Sequence, residues 1–412
     1  MFSNSMPAAY EAVKMFKESL PSSKILMGGP HPTAMPQDVF DQFEQCDYVL
    51  RGESDFSIVE LVKSLEKGNS LKDVKGLSYK KDGQVIHNEP APTIKDLDAI
   101  SFPARELLDS AYKKHTYWRM GHTGTTDVLI SSRGCPFDCN FCFKITREAR
   151  FRSADNILEE LIMLKNRGIN NVHVMDDLFV ANKTKCIQIM EKIKQNKLNM
   201  NFKVRARVDT ISRDILLIMK EAGVKAVVYG IESGSQTMLD LMNKRTTVGQ
   251  NYKAVEMTKK TGLQCYADLF MGFPGETMDT IRETERFIIR SKPTALNFAV
   301  MYPLPKTKVY DDAKAQNTLI GKWGIREAAP WIKLPWIKSK KDLFVIRNKI
   351  IRKYLLHPVV LFNGLKFLIR DMDLFQIKIL FTYFFKEILA GAGNTYLNWK
   401  LPRWIRPTRN TS

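Results

Sequence analysis

The chain has 412 residues, of which 44% are hydrophobic and 26% are charged. This mixture excludes wholesale disorder, a collagen-like repeat and a polytopic membrane protein, and the length allows two to three domains. Six cysteines are too few for a disulfide scaffold, and the first residues contain no uninterrupted apolar run. We therefore expect no signal peptide and a reducing, cytoplasmic location.

Residues 1–89 alternate helix and strand. Helices are predicted at 7–20, about 36–45 and about 55–67, strands at 24–27 and 47–50, and a hairpin at 74–89. The strand–helix–strand order is typical of a parallel, flavodoxin-like sheet, but two parallel strands bury too little to stand alone. The sequence thus predicts a partial Rossmann-like α/β domain. Residues 90–120 are predicted to be a linker, because they begin with a proline-rich stretch of little periodicity.

Residues 121–320 repeat a strand followed by a helix. Strands are predicted at 127–131, 171–175, 201–205, 226–230, 265–270 and 296–301, and helices at 154–167, 182–196, 211–222, 235–242, 249–261 and 277–291. Six such units predict a partial, TIM-like (β/α)6 barrel. In barrels of this kind the chemistry lies on the loops that follow the strands.

Three cysteines follow the first of these strands, with the spacing C-x3-C-x2-C: Cys135, Cys139 and Cys142. Three thiolates on one loop can bind three irons of a 4Fe–4S cluster and leave the fourth iron open. A zinc site would usually need a fourth cysteine or histidine at a paired spacing. Three buried structural cysteines are the remaining interpretation.

This loop, with the aromatic Phe141 directly before its third cysteine, resembles the radical SAM superfamily. The resemblance implies a 4Fe–4S cluster that binds S-adenosylmethionine (SAM). It also implies an electron donor such as flavodoxin or ferredoxin. One-electron reduction would then cleave SAM and give a 5′-deoxyadenosyl radical that abstracts hydrogen.

Polar residues and glycines follow the later strands in the order that this superfamily shows. The candidates for SAM binding are Phe141, Asp176, Asp177, Arg205, Glu232, Ser233 and Gly272. The resemblance implies an acid for the methionine ammonium at 176–177 and a cation for its carboxylate at 205–207. It implies Glu232 for the ribose hydroxyls and Gly272 for close approach to adenine. The alternatives are helix-capping acids, a surface ion pair and an ordinary strand-to-helix turn.

The amino-terminal region resembles the second half of a cobalamin-binding domain. Gly28 and Gly29 would face the nucleotide tail, and the motif at 49–53 supports the same resemblance. The strand, helix and strand that cover the corrin in such domains are not found before residue 20. We therefore expect weak cobalamin binding or none, and we expect His31 to shape its turn and not to bind cobalt.

Residues 321–412 carry 18 Lys or Arg against 5 Asp or Glu, and they supply most of the chain's net charge of +19. Segments at 342–391 are predicted to be amphipathic helices. They would lie on an anionic membrane surface, cover the barrel mouth for an apolar substrate, or pack as core helices.

The resemblance implies a radical SAM enzyme of the cobalamin-associated type. It would methylate, cyclise or rearrange a small-molecule, lipid-like or natural-product-like substrate. One alternative is an RNA-modifying radical SAM enzyme that uses the basic tail, although no RNA-binding appendage is evident and nucleic acid is not the expected partner. The other is a non-catalytic Fe–S protein for redox sensing or scaffolding.

Overall fold

The computed structural model describes residues 2–108, 125–325, 327 and 329–363. Within these ranges no helix is both long and apolar enough to cross a membrane. The predicted helices of the basic tail lie outside the described residues from position 364 onward. Before that position, the described part of the tail holds a helix at Lys340–Leu355 and helical residues at 358–363.

The amino-terminal unit consists of four helices and a four-stranded sheet. Its elements are α1 (Met6–Ser19), β1 (Leu26–Gly28), α2 (Pro30–Ala34), α3 (Pro36–Gln42), β2 (Tyr48–Leu50), α4 (Ser57–Glu66), β3 (Leu77–Lys81) and β4 (Gln84–His87). The predicted strands and hairpin are confirmed. The region around the helix expected at 36–45 holds two helices, because Pro30 and Pro36 each occupy a first helical position.

The hairpin extends the parallel pair, a pairing that was not predicted from the sequence. The sheet order is β1-β2-β3-β4, with β1 and β2 parallel and the other two pairs antiparallel. Two more strands give this unit enough surface for its own buried core, which includes Val49 and Phe43.

The carboxyl-terminal unit is larger and follows a strand–helix order. Its strands are β5 (Thr126–Leu129), β6 (Ser132–Arg133), β7 (Arg150–Phe151), β8 (Asn171–Val174), β9 (Asn201–Ala206), β10 (Val224–Glu232), β11 (Gln264–Met271), β12 (Ala295–Val300), β13 (Leu319–Ile320) and β14 (Trp331–Ile332). Its helices are α5 (Ala154–Asn166), α6 (Lys183–Gln195), α7 (Arg213–Glu221), α8 (Gln236–Leu241), α9 (Val248–Lys260), α10 (Met278–Ser291), α11 (Lys308–Ala315) and α12 (Lys340–Leu355).

Six of these strands form one parallel sheet in the order β12-β11-β10-β9-β8-β5. All six predicted strands and the six helices between them are present, which confirms the partial (β/α)6 barrel. Alternate residues, such as Val204 and Tyr229, pack under the helices in one continuous core. The residues between them point to the opposite, concave face.

Two arginines of the large unit contact acids of the small one. Arg150 forms a two-point ion pair with Glu53, and Arg133 does the same with Asp55. Burial acts to raise the pKa of Glu53, but hydrogen bonds from Arg150 and Ile94 hold it below its usual value. The acids that follow β2 thus connect the small unit to the strands that flank the cysteine loop.

Candidate active site

The cysteine loop begins at a glycine that no other residue could replace without a clash. Gly134 has a φ of +87°, and a Cβ there would lie 2.2 Å from the carbonyl oxygen of Glu148. The left-handed conformation also disfavours side chains. The backbone at Gly134 therefore lies against the backbone at Glu148. Residues 135–142, which carry the three thiols, belong to the loop that this contact closes.

Asp176 and Asp177, which follow β8, hold the entrance of this loop. Buried Asp176 accepts hydrogen bonds from the Ser131 backbone at 2.7 Å and from the Ser131 and Ser132 hydroxyls at 2.5 and 2.7 Å. Asp177 is exposed and accepts from the Gly134 backbone at 3.0 Å. Burial raises the pKa of Asp176, while the two serines act in the opposite direction. Asp176 thus positions the loop, and Asp177 has its outer face available.

The far side of the loop is attached to the turn that follows α8. The Asn243 side chain donates to the carbonyl of Asp138 at 2.6 Å, and the Asn140 backbone donates to the carbonyl of Met242 at 3.0 Å. The Asn140 carbonyl accepts from Val309 at the start of α11. The thiols are therefore carried on a loop that is fixed at both ends.

Three cations lie around the middle cysteine. The Arg207 guanidinium donates to the Cys139 sulfur at 3.8 Å and stacks 3.6 Å from the centre of the Phe137 ring. Burial raises the pKa of the Cys139 thiol, whereas Lys244, Arg207 and Lys144 act to lower it. The Lys144 ammonium nitrogen is buried and has no hydrogen-bond partner among the described residues.

Glu232 approaches this group from the end of β10. It adopts a left-handed backbone conformation, with a φ of +63°, where the register of the strand shifts. Such a conformation typically costs about 1–3 kcal/mol in a non-glycine residue and is often found at functional sites. Its carboxylate accepts from Lys244 at 2.6 Å. Ser233, in contrast, is buried and bonded to Thr284 within the fold.

Gly272 follows β11 with a φ of +93°. Its backbone N–H donates to the buried carboxyl of Glu276 at 2.5 Å. Burial raises the pKa of Glu276 to about 8. Glu276 thus fixes the turn at which adenine was expected, although it was not itself singled out from the sequence.

This pKa predicts a pH dependence of stability. Between about pH 4.5 and 8 the folded chain holds a proton on Glu276 that the unfolded chain releases, so raising the pH destabilises the fold, by roughly 3–5 kcal/mol in total. Glu276→Gln should remove this loss and melt at a higher temperature than the unchanged protein at pH 8. Melting curves from pH 5.5 to 8.5 would check this, with Glu191→Gln at an exposed position as the control. The prediction would be contradicted if the melting temperatures of E276Q and of the unchanged protein changed with pH in the same way.

Phe141 packs within the fold beside the thiols. Its ring lies edge-on to Phe270, with centroids 4.9 Å apart, in a small apolar cluster with Met242 and Met301. The Lys244 ammonium lies 6.0 Å from the centre of the Phe141 ring.

Arg205 pairs with an acid of β11, two strands away in the sheet. It lies on the concave face and forms an ion pair of 2.9 Å with Asp268. Of the two arginines at the end of β9, Arg207 is therefore the one that contacts the cysteine loop. Alternation could not have separated them, because residues 205 and 207 share a face of a continuous strand, and only the end of β9 at Ala206 sets Arg207 apart.

Gly28 is the last residue of β1, and Gly29 directly precedes α2. Gly29 has a φ of +103°, and the backbone of Gly28 passes the Leu50 carbonyl. His31 is buried, with its two ring nitrogens 2.9 Å from the Ser3 hydroxyl and 3.1 Å from Asp38. Its placement agrees with a role in shaping the turn.

The donor set fits a 4Fe–4S cluster. All three thiols are free. Within the described ranges no three His, Cys, Asp or Glu side chains, these cysteines included, converge as the ligands of a bound metal do. Cys135 and Cys139 are close enough to Cys142 to influence its pKa. Three cations around Cys139 would balance the negative charge of a cluster held by thiolates.

Comparison with known proteins agrees with this geometry. The profile of the radical SAM superfamily matches residues 129–288. An uncharacterised methyltransferase of Pyrococcus horikoshii is 33% identical over 88% of this chain and 79% of its own length. The chain belongs to the radical SAM superfamily. This membership implies a 4Fe–4S cluster and SAM as its cofactors.

A cyclase is another relative, and two cobalamin-binding enzymes share the fold. The anaerobic magnesium-protoporphyrin IX monomethyl ester cyclase of Cereibacter sphaeroides is 29% identical over 76% of this chain, which spans only 52% of that cyclase. Two solved structures have the same fold. Methyltransferase TsrM of Kitasatospora setae, with cobalamin and a 4Fe–4S cluster bound, has a TM-score of 0.68 at 13% identity and covers 86% of this chain and 76% of its own. OxsB, with aqua-cobalamin bound, has a TM-score of 0.72 at 18% identity and covers 95% of this chain and 62% of its own.

Proposed function

We propose that this chain cleaves SAM reductively and uses the resulting radical to methylate or cyclise a small molecule. The observation that carries the proposal is the convergence of Arg207, Lys244 and Lys144 on a loop that presents three thiols. A non-catalytic Fe–S protein would not need the Glu232–Lys244 pair beside that loop. Relatives named as methyltransferases and cyclases support the same reaction class.

When bound, the cluster supplies the electron that splits the sulfonium of SAM and releases the 5′-deoxyadenosyl radical. The chain's own residues bind and orient. Asp177 would receive the methionine ammonium, and Lys144 or Arg207 would receive its carboxylate, because opposite charges at these positions form charge-assisted hydrogen bonds. Glu232 would accept from the ribose hydroxyls, and the Gly272 turn would contact adenine.

The packing around Phe141 would keep water from the reacting atoms. Its aromatic partners, together with Met242 and Met301, form an apolar wall next to the third cysteine. A dry site protects a carbon radical from quenching and strengthens the ionic contacts within it. Phe141 thus acts through exclusion of water in this proposal.

Cobalamin is bound by TsrM and OxsB, and for this chain we propose weak binding or none. In the described part of the small unit only β1 and β2 form a parallel pair, and His31 is already engaged by Ser3 and Asp38. We also propose domain boundaries at residues 89, 120 and 320.

The function is tested by anaerobic reconstitution with iron and sulfide, followed by SAM and dithionite, with and without cobalamin. We expect methionine and 5′-deoxyadenosine in amounts that do not depend on added cobalamin. Absence of both products from protein that holds a full cluster would overturn the proposal. Products that appear only with cobalamin would overturn the expectation of weak cobalamin binding.

A further inference from the structure

The concave face of the large sheet carries charged and polar side chains among apolar ones, although parallel sheets usually carry apolar side chains on both faces. Val204 and Ala206 pack under the helices, so Lys203 and Arg205 beside them point to the concave face. The same alternation places five further polar side chains there: His173, Gln264, Tyr266, Asp268 and Asn297. Lys203 and Tyr266 are buried in a cation–π contact, whereas Arg205 and Asp268 are accessible.

The central strand is covered by side chains of its neighbours, since Ala226 and Val228 are buried in a cluster with Tyr266. Its concave positions hold only small or branched residues: Ala226, Val228 and Gly230. Val228 pairs in register with Arg205 on one side and Tyr266 on the other. Side chains from β9 can therefore reach across β10, and Arg205 does so to contact Asp268.

Arg205 and Asp268 remain accessible within this arrangement. Their side chains are 44% and 28% exposed, while they stand 2.9 Å apart. The Asn297 side chain donates to the second oxygen of Asp268 at 3.3 Å. Asp268 and Asn297 thus fix one edge of the guanidinium and leave its other N–H groups available.

The Arg205–Asp268 pair lies close to the proposed SAM site. A Cβ on Gly230 would lie 2.4 Å from the Glu232 carboxylate and 3.0 Å from the Lys244 nitrogen. The Glu232–Lys244 pair therefore covers Gly230. Gly230 follows Val228 by two residues on β10, a spacing of roughly 7 Å along a strand. A small molecule bound at Arg205 would therefore extend toward the site at which the radical forms.

The edge of the same face is apolar and exposed. Val128, Ile130 and Met175 are 36%, 45% and 41% exposed. Val128 lies next to His173 in the register of β5 and β8. The face therefore combines the accessible guanidinium of Arg205 with an apolar edge.

We propose that Arg205 recognises a carboxylate on the substrate and that the edge at Val128, Ile130 and Met175 contacts an apolar body of the same molecule. Guanidinium groups bind carboxylates in two-point geometry, which gives both affinity and orientation. This inference rests on the proposed function for the identity of the ligand as a substrate. It assigns Arg205 to the substrate, where the family resemblance had implied the SAM carboxylate.

The test uses octanoate and octan-1-ol as matched probes, titrated into reconstituted protein by saturation-transfer NMR. We expect octanoate to bind more tightly than octan-1-ol, and Arg205→Gln to weaken octanoate about 10- to 100-fold with octan-1-ol unchanged. Asp268→Asn should tighten octanoate binding, because it removes a negative charge beside the guanidinium. The control Arg286→Gln, at an exposed position of α10, should behave as the unchanged protein does.

SAM affinity, measured by equilibrium dialysis on the same samples, separates the two roles of Arg205. The proposal requires that R205Q keep its SAM affinity. It is overturned if R205Q keeps its preference for octanoate, or if R205Q loses SAM binding together with that preference. If R205Q does not fold, D268N provides the test. Tighter octanoate binding by D268N supports the proposal, and unchanged or weaker binding overturns it. Octanoate binding needs no SAM cleavage, so failure of the proposed function would be seen separately.

Discussion

Replacing Cys135, Cys139 or Cys142 with alanine is expected to abolish reductive SAM cleavage. Each thiolate fixes one iron, and the iron that binds SAM must have all three neighbours in place. The loop that carries the thiols is anchored through Gly134 and Asn243, so a single substitution should remove a ligand without moving the others. Production of 5′-deoxyadenosine after anaerobic reconstitution measures the effect, and we expect a loss of at least about 100-fold.

The control for these variants is a cysteine outside the loop. Cys186 is buried in α6 and packs in the core. Cys186→Ala should retain the cluster and its activity, at a modest loss of stability. Full SAM cleavage by Cys142→Ala would show that the assignment of the three ligands is wrong.

Asp176→Ala is expected to be the most damaging substitution outside the cysteines. It would leave the hydroxyls of Ser131 and Ser132 and one backbone N–H buried without their acceptor. The loss should be about 3 kcal/mol or more of folding free energy, since hydrogen bonds to a charged group are worth about 1.5–3 kcal/mol each. Urea unfolding gives the stability, and iron content after reconstitution shows whether the loop still binds a cluster.

Asp177→Ala provides the comparison, because Asp177 is exposed and makes one backbone hydrogen bond. We expect it to fold and to retain iron while its affinity for SAM falls. Equal stability of the two variants would contradict the positioning role of Asp176. Unchanged SAM affinity in D177A would remove Asp177 from the site.

The sequence was sufficient to predict the strands and helices of the barrel. Their hydrophobic alternation is strong, and glycines such as Gly168, Gly223 and Gly262 mark helix ends, where they adopt the left-handed conformation that glycine tolerates. The cysteine spacing and the strand-end motifs led to the correct superfamily. These features are local, so they can be read without knowledge of the fold.

Contacts between distant parts of the chain could not be predicted in this way. Lys244 lies in a turn that belongs to no recognised motif. It contacts Glu232 only because the fold brings that turn next to the end of β10. Trp323, which the sequence placed in the basic tail, is buried in the core of the amino-terminal unit. The pairing of Glu53 with Arg150 also joins residues far apart in the chain. Such contacts depend on tertiary packing, which periodicity and spacing do not encode.

The most direct measurement of the central claim is electron paramagnetic resonance of the reduced, reconstituted protein with and without SAM. The account predicts one 4Fe–4S cluster per chain, a signal that changes when SAM is added, and loss of that signal in Cys142→Ala. An identical signal with and without SAM, or a full signal in C142A, would contradict the claim that these three cysteines hold a SAM-binding cluster.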